Sequence, residues 1–344
     1  MELSNEDNLR LNILLCQDVK AIRINESKLI LYALLSDSDS DSASDKEVSI
    51  KLTPNCNLDR YIKVVKEFLS SFYLDSPAGY PIFINRWTRS GQVKNEKIGE
   101  LLKIAEPEAV VAITYAKQLS VEYAQYAWWA YPSVENARQL LTHDNIAESE
   151  IGRELADFLL EFLPFEIEAK DIINTVRLLL QRDLMNEENK LSLWKKGQRK
   201  SAYLIGFLCV DPLHIPIKEQ AHPRIENSSS KIVLSLLNPE GHTYINTCLK
   251  ALDGFSDQDS IVLLYEAMHN YFGQYVDHTR KELKISRIDD ENLILSALLD
   301  LSKINTDELT PVLAHSNAVG SLLRRKLEPV TESVKINLRT IISS

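Results

Sequence analysis

The chain has 344 residues, 44% hydrophobic and 26% charged, with only 10 glycines, a composition that excludes fibrous and globally disordered classes and permits a sizeable core. Its formal net charge of -10 opposes generic attraction to nucleic-acid backbones or anionic lipids. The four cysteines, Cys16, Cys56, Cys209 and Cys248, are widely spaced and form no CxxC pair, so they give no basis for a disulfide framework, a zinc site or an iron-sulfur cluster.

The opening "MELSNEDNLRLNILL" lacks a basic segment followed by an unbroken apolar run, and no uninterrupted apolar stretch of about 18 residues follows. No leader and no transmembrane segment are therefore expected, and cytoplasmic residence is the default. "KLILYALL" (28–35) and "EVSIKL" (47–52) read as strands, with Val48, Ile50 and Leu52 alternating onto one side of the second. Between them "SDSDSDSASDKE" (36–47) is an acidic insertion in a hairpin, with no large apolar side chain to anchor it. Asp37, Asp39, Asp41 and Asp45 take positions 1, 3, 5 and 9 of a calcium loop, but Ser42 replaces the turn glycine and Val48 the closing glutamate, so no calcium sensor is expected.

Tyr61, Val64, Val65, Phe68, Leu69 and Phe72 recur at helical spacing, after which "DSPAGYP" halts the helix and "YPIFI" can return as a strand. These elements predict a mixed N-terminal unit over residues 1–90. The remainder, 91–344, reads as mainly helical. Pro107 is placed to begin a helix, although Val110, Val111 and Ile113 also suit a strand. A turn near Ser120 leads into "VEYAQYAWWAY", and Ser133 is placed to cap a helix through Leu141. Ile151, Leu155, Phe158, Leu159 and Phe162 form an apolar stripe, followed beyond Pro164 by Ile172, Ile173, Val176, Leu179 and Leu180. Further helices are expected over 188–209, 243–252 and 257–275, the last capped by Asp257, with Pro212, Pro216 and Pro223 breaking the chain between the first two. Three later segments, "DDENLILSALLDLSK", "TDELTPVLAHSNAVGSLLRRK" and "PVTESVKINLRTII", supply more apolar faces. The expected fold class is α+β, a small mixed N-terminal unit followed by a predominantly helical array or irregular bundle without a fixed repeat.

No catalytic motif stands out: the chain lacks a G-x-S-x-G elbow and both glycine-rich nucleotide signatures. Glu266 and His269 share a helical face, and Glu219 and His222 repeat the spacing, yet the two further glutamates of a carboxylate-bridged metal bundle are not identified, and ordinary hydrogen bonding is the expected role. No catalytic, cofactor-binding or metal-binding residue is therefore expected, and no cofactor. Two polar segments carry binding candidates. "NRWTRSGQVKNEK" (85–97) gathers Arg86, Trp87, Arg89, Gln92 and Lys94 at the expected boundary, where they suit a structural seam, a partner surface or a small-anion pocket. "LWKKGQRK" (193–200) places Lys195, Lys196, Arg199 and Lys200 beside Trp194, a basic island that can meet RNA or an acidic partner but more often is simply solvated. In "YAWWAYPSVENARQLL" (126–141), Trp128 and Trp129 point into different sectors of one helix, which favours core packing and an interhelical seam, with Arg138, over protein recognition or a small-ligand cage.

Together "NEDNLRLNILL", "GYPIFINRWTRSGQ", "EPEAVVAITYA" and "AWWAYPSVENAR" resemble the sulfur reduction protein DsrS family over the first 160 residues. The shared landmarks are Arg86, Trp87, Thr88, Arg89, Gly91 and Gln92, then Glu106, Pro107, Glu108, Trp128, Trp129, Pro132, Glu135, Asn136 and Arg138. The acidic insertion departs from the family pattern. The resemblance implies an accessory or regulatory protein associated with the reverse dissimilatory sulfite reductase of sulfur-oxidising bacteria, with protein partners from sulfur metabolism and no implied catalytic set, haem ligand or cluster. The alternatives are a general protein-binding helical scaffold and an undescribed enzyme.

Overall fold

The computed structural model describes residues 3–36, 45–74, 98–228, 230–282 and 289–343. The protein is α+β, and its chain divides into two compact units, Met1–Leu159 and Leu160–Ser344. The boundary expected near residue 90, the strand expected at 80–84 and most of the acidic insertion lie outside the described residues.

In the first unit, α1 (Asn5–Leu15) precedes a three-stranded antiparallel sheet in the order β1 (Val19–Asn25), β2 (Ile30–Leu35), β3 (Lys46–Lys51). β2 is the central strand, pairing Asn25 with Ile30 on one side and Ile30 with Lys51 on the other. Leu31, Ala33 and Leu35 alternate inward and join Leu11 and Leu14 of α1 with Tyr61, Val65 and Leu69 of α2 (Leu58–Leu74) in one core, which realises the apolar stripe seen in the sequence except at Phe72, which is exposed. Inside this layer Asp7 is fully buried. Its carboxylate accepts from the Thr53 amide at 2.7 Å, the Thr53 hydroxyl at 3.0 Å and the Tyr61 hydroxyl at 2.5 Å, which satisfies the buried charge.

Six short helices follow: α3 (Ile98–Leu101), α4 (Pro107–Thr114), α5 (Val121–Ala130), α6 (Val134–Leu140), α7 (Asp144–Ala147) and α8 (Glu150–Phe162). Pro107 occupies the first turn of α4, so the β-branched run is helical, and Ser120 and Ser133 each accept a backbone N–H three residues on, at 3.2 Å.

Among its described residues the regular structure of the second unit is helical: α9 (Ala169–Gln181), α10 (Glu187–Gly197), α11 (Ser201–Leu208), α12 (Lys231–Leu237), α13 (Pro239–Gly254), α14 (Gln258–Gly273), α15 (Val276–Glu282), α16 (Asp289–Leu301), α17 (Thr310–Leu313) and α18 (Gly320–Ile342). Every residue of α11 is buried, which makes it a central helix of this unit. Gly206 lets it approach α9, because a Cβ there would stand 2.6 Å from Val176 Cβ.

Three boundaries differ from the sequence expectation. Residues 188–209 form two helices, not one, separated by a turn at 198–200. α13 begins at Pro239, four residues earlier than expected, because proline at the first helical position sacrifices no internal hydrogen bond and Asn238 caps the helix at 2.7 Å. Pro329 lies inside the 23-residue α18 and does not start a new helix: Leu323, Leu327, Val334, Leu338 and Ile341 bury one face across it, and that packing offsets the missing N–H bond. β1 was not anticipated at all.

Candidate functional site

Arg86, Trp87, Arg89 and Gln92 lie outside the described residues. The aromatic corner is a joint built around Arg23. From β1, its guanidinium lies 4.5 Å from the Trp129 ring centroid and 5.1 Å from that of Tyr32. The same group donates to Trp129 O at 3.2 Å and to Glu47 Oε2 at 3.1 Å, while Trp129 Nε1 donates to Glu47 Oε2 at 2.8 Å. Trp128 turns inward: its Nε1 donates to Glu154 at 2.7 Å, and its ring meets Phe158 edge-on at 4.8 Å. Both indole N–H groups are thus occupied by carboxylates of this chain, and Trp129 fastens the end of α5 to two strands. A groove of about 480 Å³ runs beside the pair. Arg138 is half-buried in the last turn of α6.

Lys195, Lys196, Arg199 and Lys200 are exposed. Lys195 and Lys196 stand in the last turn of α10, where positive charge complements the helix dipole, and Lys200 Nζ donates to Glu166 O at 3.3 Å. Trp194 is buried against Phe207 with ring centroids 5.2 Å apart, so it offers no exposed ring on which a base could stack.

The two Glu/His pairs separate. His269 Nδ1 is bonded to Ile304 O at 2.8 Å, whereas Glu266 lines a cleft. Glu219 accepts from Asn246 at 2.5 Å, and buried His222 meets His242 edge-on at 5.3 Å. Among the described residues, no three His, Cys, Asp or Glu side chains form a group suited to hold a metal ion.

That cleft, of about 830 Å³ and contained within the second unit, is the strongest candidate site. One wall is a continuous face of α14 and the turn after it: Leu263, Glu266, Ala267, Asn270, Tyr271, Gln274 and Tyr275 follow one another at alternating spacings of three and one, so each has a neighbour three or four positions away. Arg177 and Gln181 approach from the end of α9, residues 208–213 from the end of α11, and Asn238, Glu240 and Gly241 from the start of α13. Gly241 allows α12 and α13 to meet, since a Cβ there would collide with Ser235 O and stand 2.6 Å from Leu236 O.

Tyr244 ties these walls together from beneath. Its hydroxyl lies 3.2 Å from Leu208 O and 3.1 Å from Ala267 O, one carbonyl on each side, and donates its proton between them. Its ring stacks on Tyr271 at 3.8 Å, and Tyr271 in turn meets Tyr275 edge-on at 5.9 Å. The cleft therefore has a rigid aromatic side and a polar rim.

Its charges are distinctive. Arg177 Nε is buried and finds no acceptor among the described residues, and no ion pair joins Arg177 to Glu266. Burial pushes the Cys209 thiol up to about 12, with Arg177 pulling it down and Glu266 pushing it further up, so the cleft's one cysteine is a protonated thiol at neutral pH. Glu240 is held by Lys218 at 2.9 Å and its carboxyl titrates below the usual range because of that bond. Asp211 accepts the Leu213 amide at 2.8 Å. The arrangement offers hydrogen-bonding and charged groups to a ligand, together with tyrosine faces.

Apart from Glu266, Cys209 and Pro212, none of these cleft residues stands out in the sequence. The available signal was the polar and aromatic repeat Glu266, Asn270, Tyr271, Gln274, Tyr275; the facing Arg177 lies 89 positions from Glu266 and joins it only through the helix packing. Among the described residues no helix is long and apolar enough to cross a membrane. No protein-family model, curated protein or solved structure matches the chain.

Proposed function

We propose that this protein is an accessory or regulatory protein of a reverse dissimilatory sulfite reductase system, acting in the cytoplasm by binding and not by covalent catalysis. The sulfur context rests on the resemblance of the first 160 residues to the DsrS family. The binding role rests on the cleft of the second unit, where Arg177, Glu266 and the Tyr271–Tyr275 pair converge beside a thiol kept protonated. A cysteine nucleophile needs the thiolate, and this environment disfavours it. Arg177 and Glu266 instead suit recognition, since a charged group without an internal partner gains most from a ligand that supplies one.

The test is purification of the full chain from a sulfur-oxidising cell, followed by mass spectrometry of the retained proteins, in parallel with Glu266→Lys. Glu266 is exposed, so this change reverses the rim charge without disturbing the core. Sulfur-oxidation proteins retained by the wild type and lost by the variant support the proposal. Retention of partners unrelated to that machinery points to a general helical scaffold, and equal retention by both forms removes the cleft from the binding role.

A further inference from the structure

The ligand class of the cleft follows from its two uncoupled charges, an inference that rests on the cleft being the binding site. Arg177 on α9 and Glu266 on α14 line the same cavity from two helices packed against each other, yet no ion pair joins them. Arg177 also keeps a buried Nε–H without an acceptor among the described residues. The guanidinium has no carboxylate partner among the described residues, and its terminal Nη1–H and Nη2–H suit a carboxylate or another planar acceptor, bound through two parallel N–H bonds. Glu266 is an exposed carboxylate on the α14 wall, which also carries the rings of Tyr271 and Tyr275, and such a wall calls for a cation: the carboxylate attracts it and ring faces stabilise it.

A simple anion would satisfy Arg177 but face Glu266 and Asp211. A simple cation would satisfy Glu266 and leave Arg177 orphaned. A molecule carrying both charges answers both walls at once. The rest of the lining agrees, because Gln181, Asn270 and Gln274 each present an amide that donates and accepts, the complement of peptide N–H and C=O groups. The volume of about 830 Å³ is in the small-ligand range and leaves room beyond a single amino acid. We propose that the cleft binds a short zwitterionic peptide, its terminal carboxylate on Arg177 and its ammonium against Glu266 and the tyrosine pair.

Calorimetric titration of the full chain with tri-alanine, N-acetyl-tri-alanine and tri-alanine amide tests this directly. Saturable binding of tri-alanine, weakened about tenfold or more by acetylation and likewise by amidation, is expected. In Arg177→Gln the penalty for amidation should vanish while that for acetylation persists, and Glu266→Gln should show the reverse. Equal affinity for the three probes, or no saturable binding of tri-alanine to the wild type, overturns the zwitterion assignment, and the wild-type series decides the matter even where a variant fails to fold. Loss of the cellular partner in Glu266→Lys, combined with indifference to tri-alanine, rejects this ligand class while leaving the cleft as the binding site. Retention of the partner combined with no tri-alanine binding rejects both.

Discussion

Tyr244 and Tyr271 stack with ring centroids 3.8 Å apart and planes 26° from parallel, so a fully buried side chain of α13 supports the half-buried aromatic wall of the cleft on α14. Burial raises the titration of both hydroxyls well above the usual tyrosine range, which keeps them as neutral hydrogen-bonding groups. The site is thus supported by packing that is independent of any ligand.

Replacing Tyr244 with Phe keeps the stack but removes the one proton shared by Leu208 O and Ala267 O. The carbonyls are buried at the ends of two walls, so the loss should cost about 1–3 kcal/mol of stability. Urea denaturation of the variant checks this. An unchanged midpoint would mean that the hydroxyl does not brace the cleft.

At the aromatic corner, Trp129→Phe retains a ring beneath Arg23 and removes the bond to Glu47, whereas Trp129→Ala removes both. Losses of about 1 and about 2 kcal/mol are expected, the second reduced from a full core truncation because Trp129 is only half-buried. Near-ultraviolet circular dichroism during denaturation measures the order. Full stability in the alanine variant would contradict a structural joint and make the exposed part of the ring a recognition element.

Much of this architecture is legible in the sequence where a single element carries its own pattern. The stripe of α2 and the caps Ser133 and Asp257 are local signals, and each is realised, Asp257 accepting the Ser260 amide at 2.8 Å. β1 was hidden because Lys20 and Arg23 interrupt its apolar run and a register shift between Val19 and Ala21 breaks the alternation of period two. Arg23 carries no local signal of its role, because only the sheet brings it to Trp129. Pro329 was misleading in the opposite sense, since tertiary burial on both sides overrides its local preference for a boundary. The cleft was least legible: five helices contribute to it, and no local spacing encodes which of their polar residues come together.

Cys209 provides a chemical check on the proposal that the cleft binds without covalent catalysis. With its thiol pushed up to about 12, the reactive thiolate fraction at about pH 8 is on the order of 10⁻⁴. Alkylation of the folded protein with iodoacetamide should modify exposed Cys16 first and leave Cys209 largely untouched, as peptide mass spectrometry will show. Modification of Cys209 at a rate comparable to Cys16 would restore a nucleophilic reading of the cleft.

His222 gives the protein an acid-sensitive point. Burial lowers its titration first, with neighbouring His242 and Arg224 adding repulsion, while its Nδ1 accepts the Arg224 amide at 3.3 Å as a neutral ring does. Because the folded state binds this proton less readily than the unfolded state, the contribution of His222 is present above about pH 6.5 and is lost as pH falls through the lower folded value. The thermal midpoint should therefore fall more between about pH 7.5 and about pH 5.5 in the wild type than in His222→Gln. Parallel pH curves for the two proteins would show that the ring stays uncoupled from folding.

The placement of the working site on the second unit is tested most directly by hydrogen–deuterium exchange of the full chain with and without its co-purified partner. Protection should concentrate in residues 208–213 and 263–275, the two stretches that flank Cys209 and carry Glu266, Tyr271 and Tyr275. Protection confined to 126–141 or to the basic island at 193–200, with the cleft unchanged, would contradict the account.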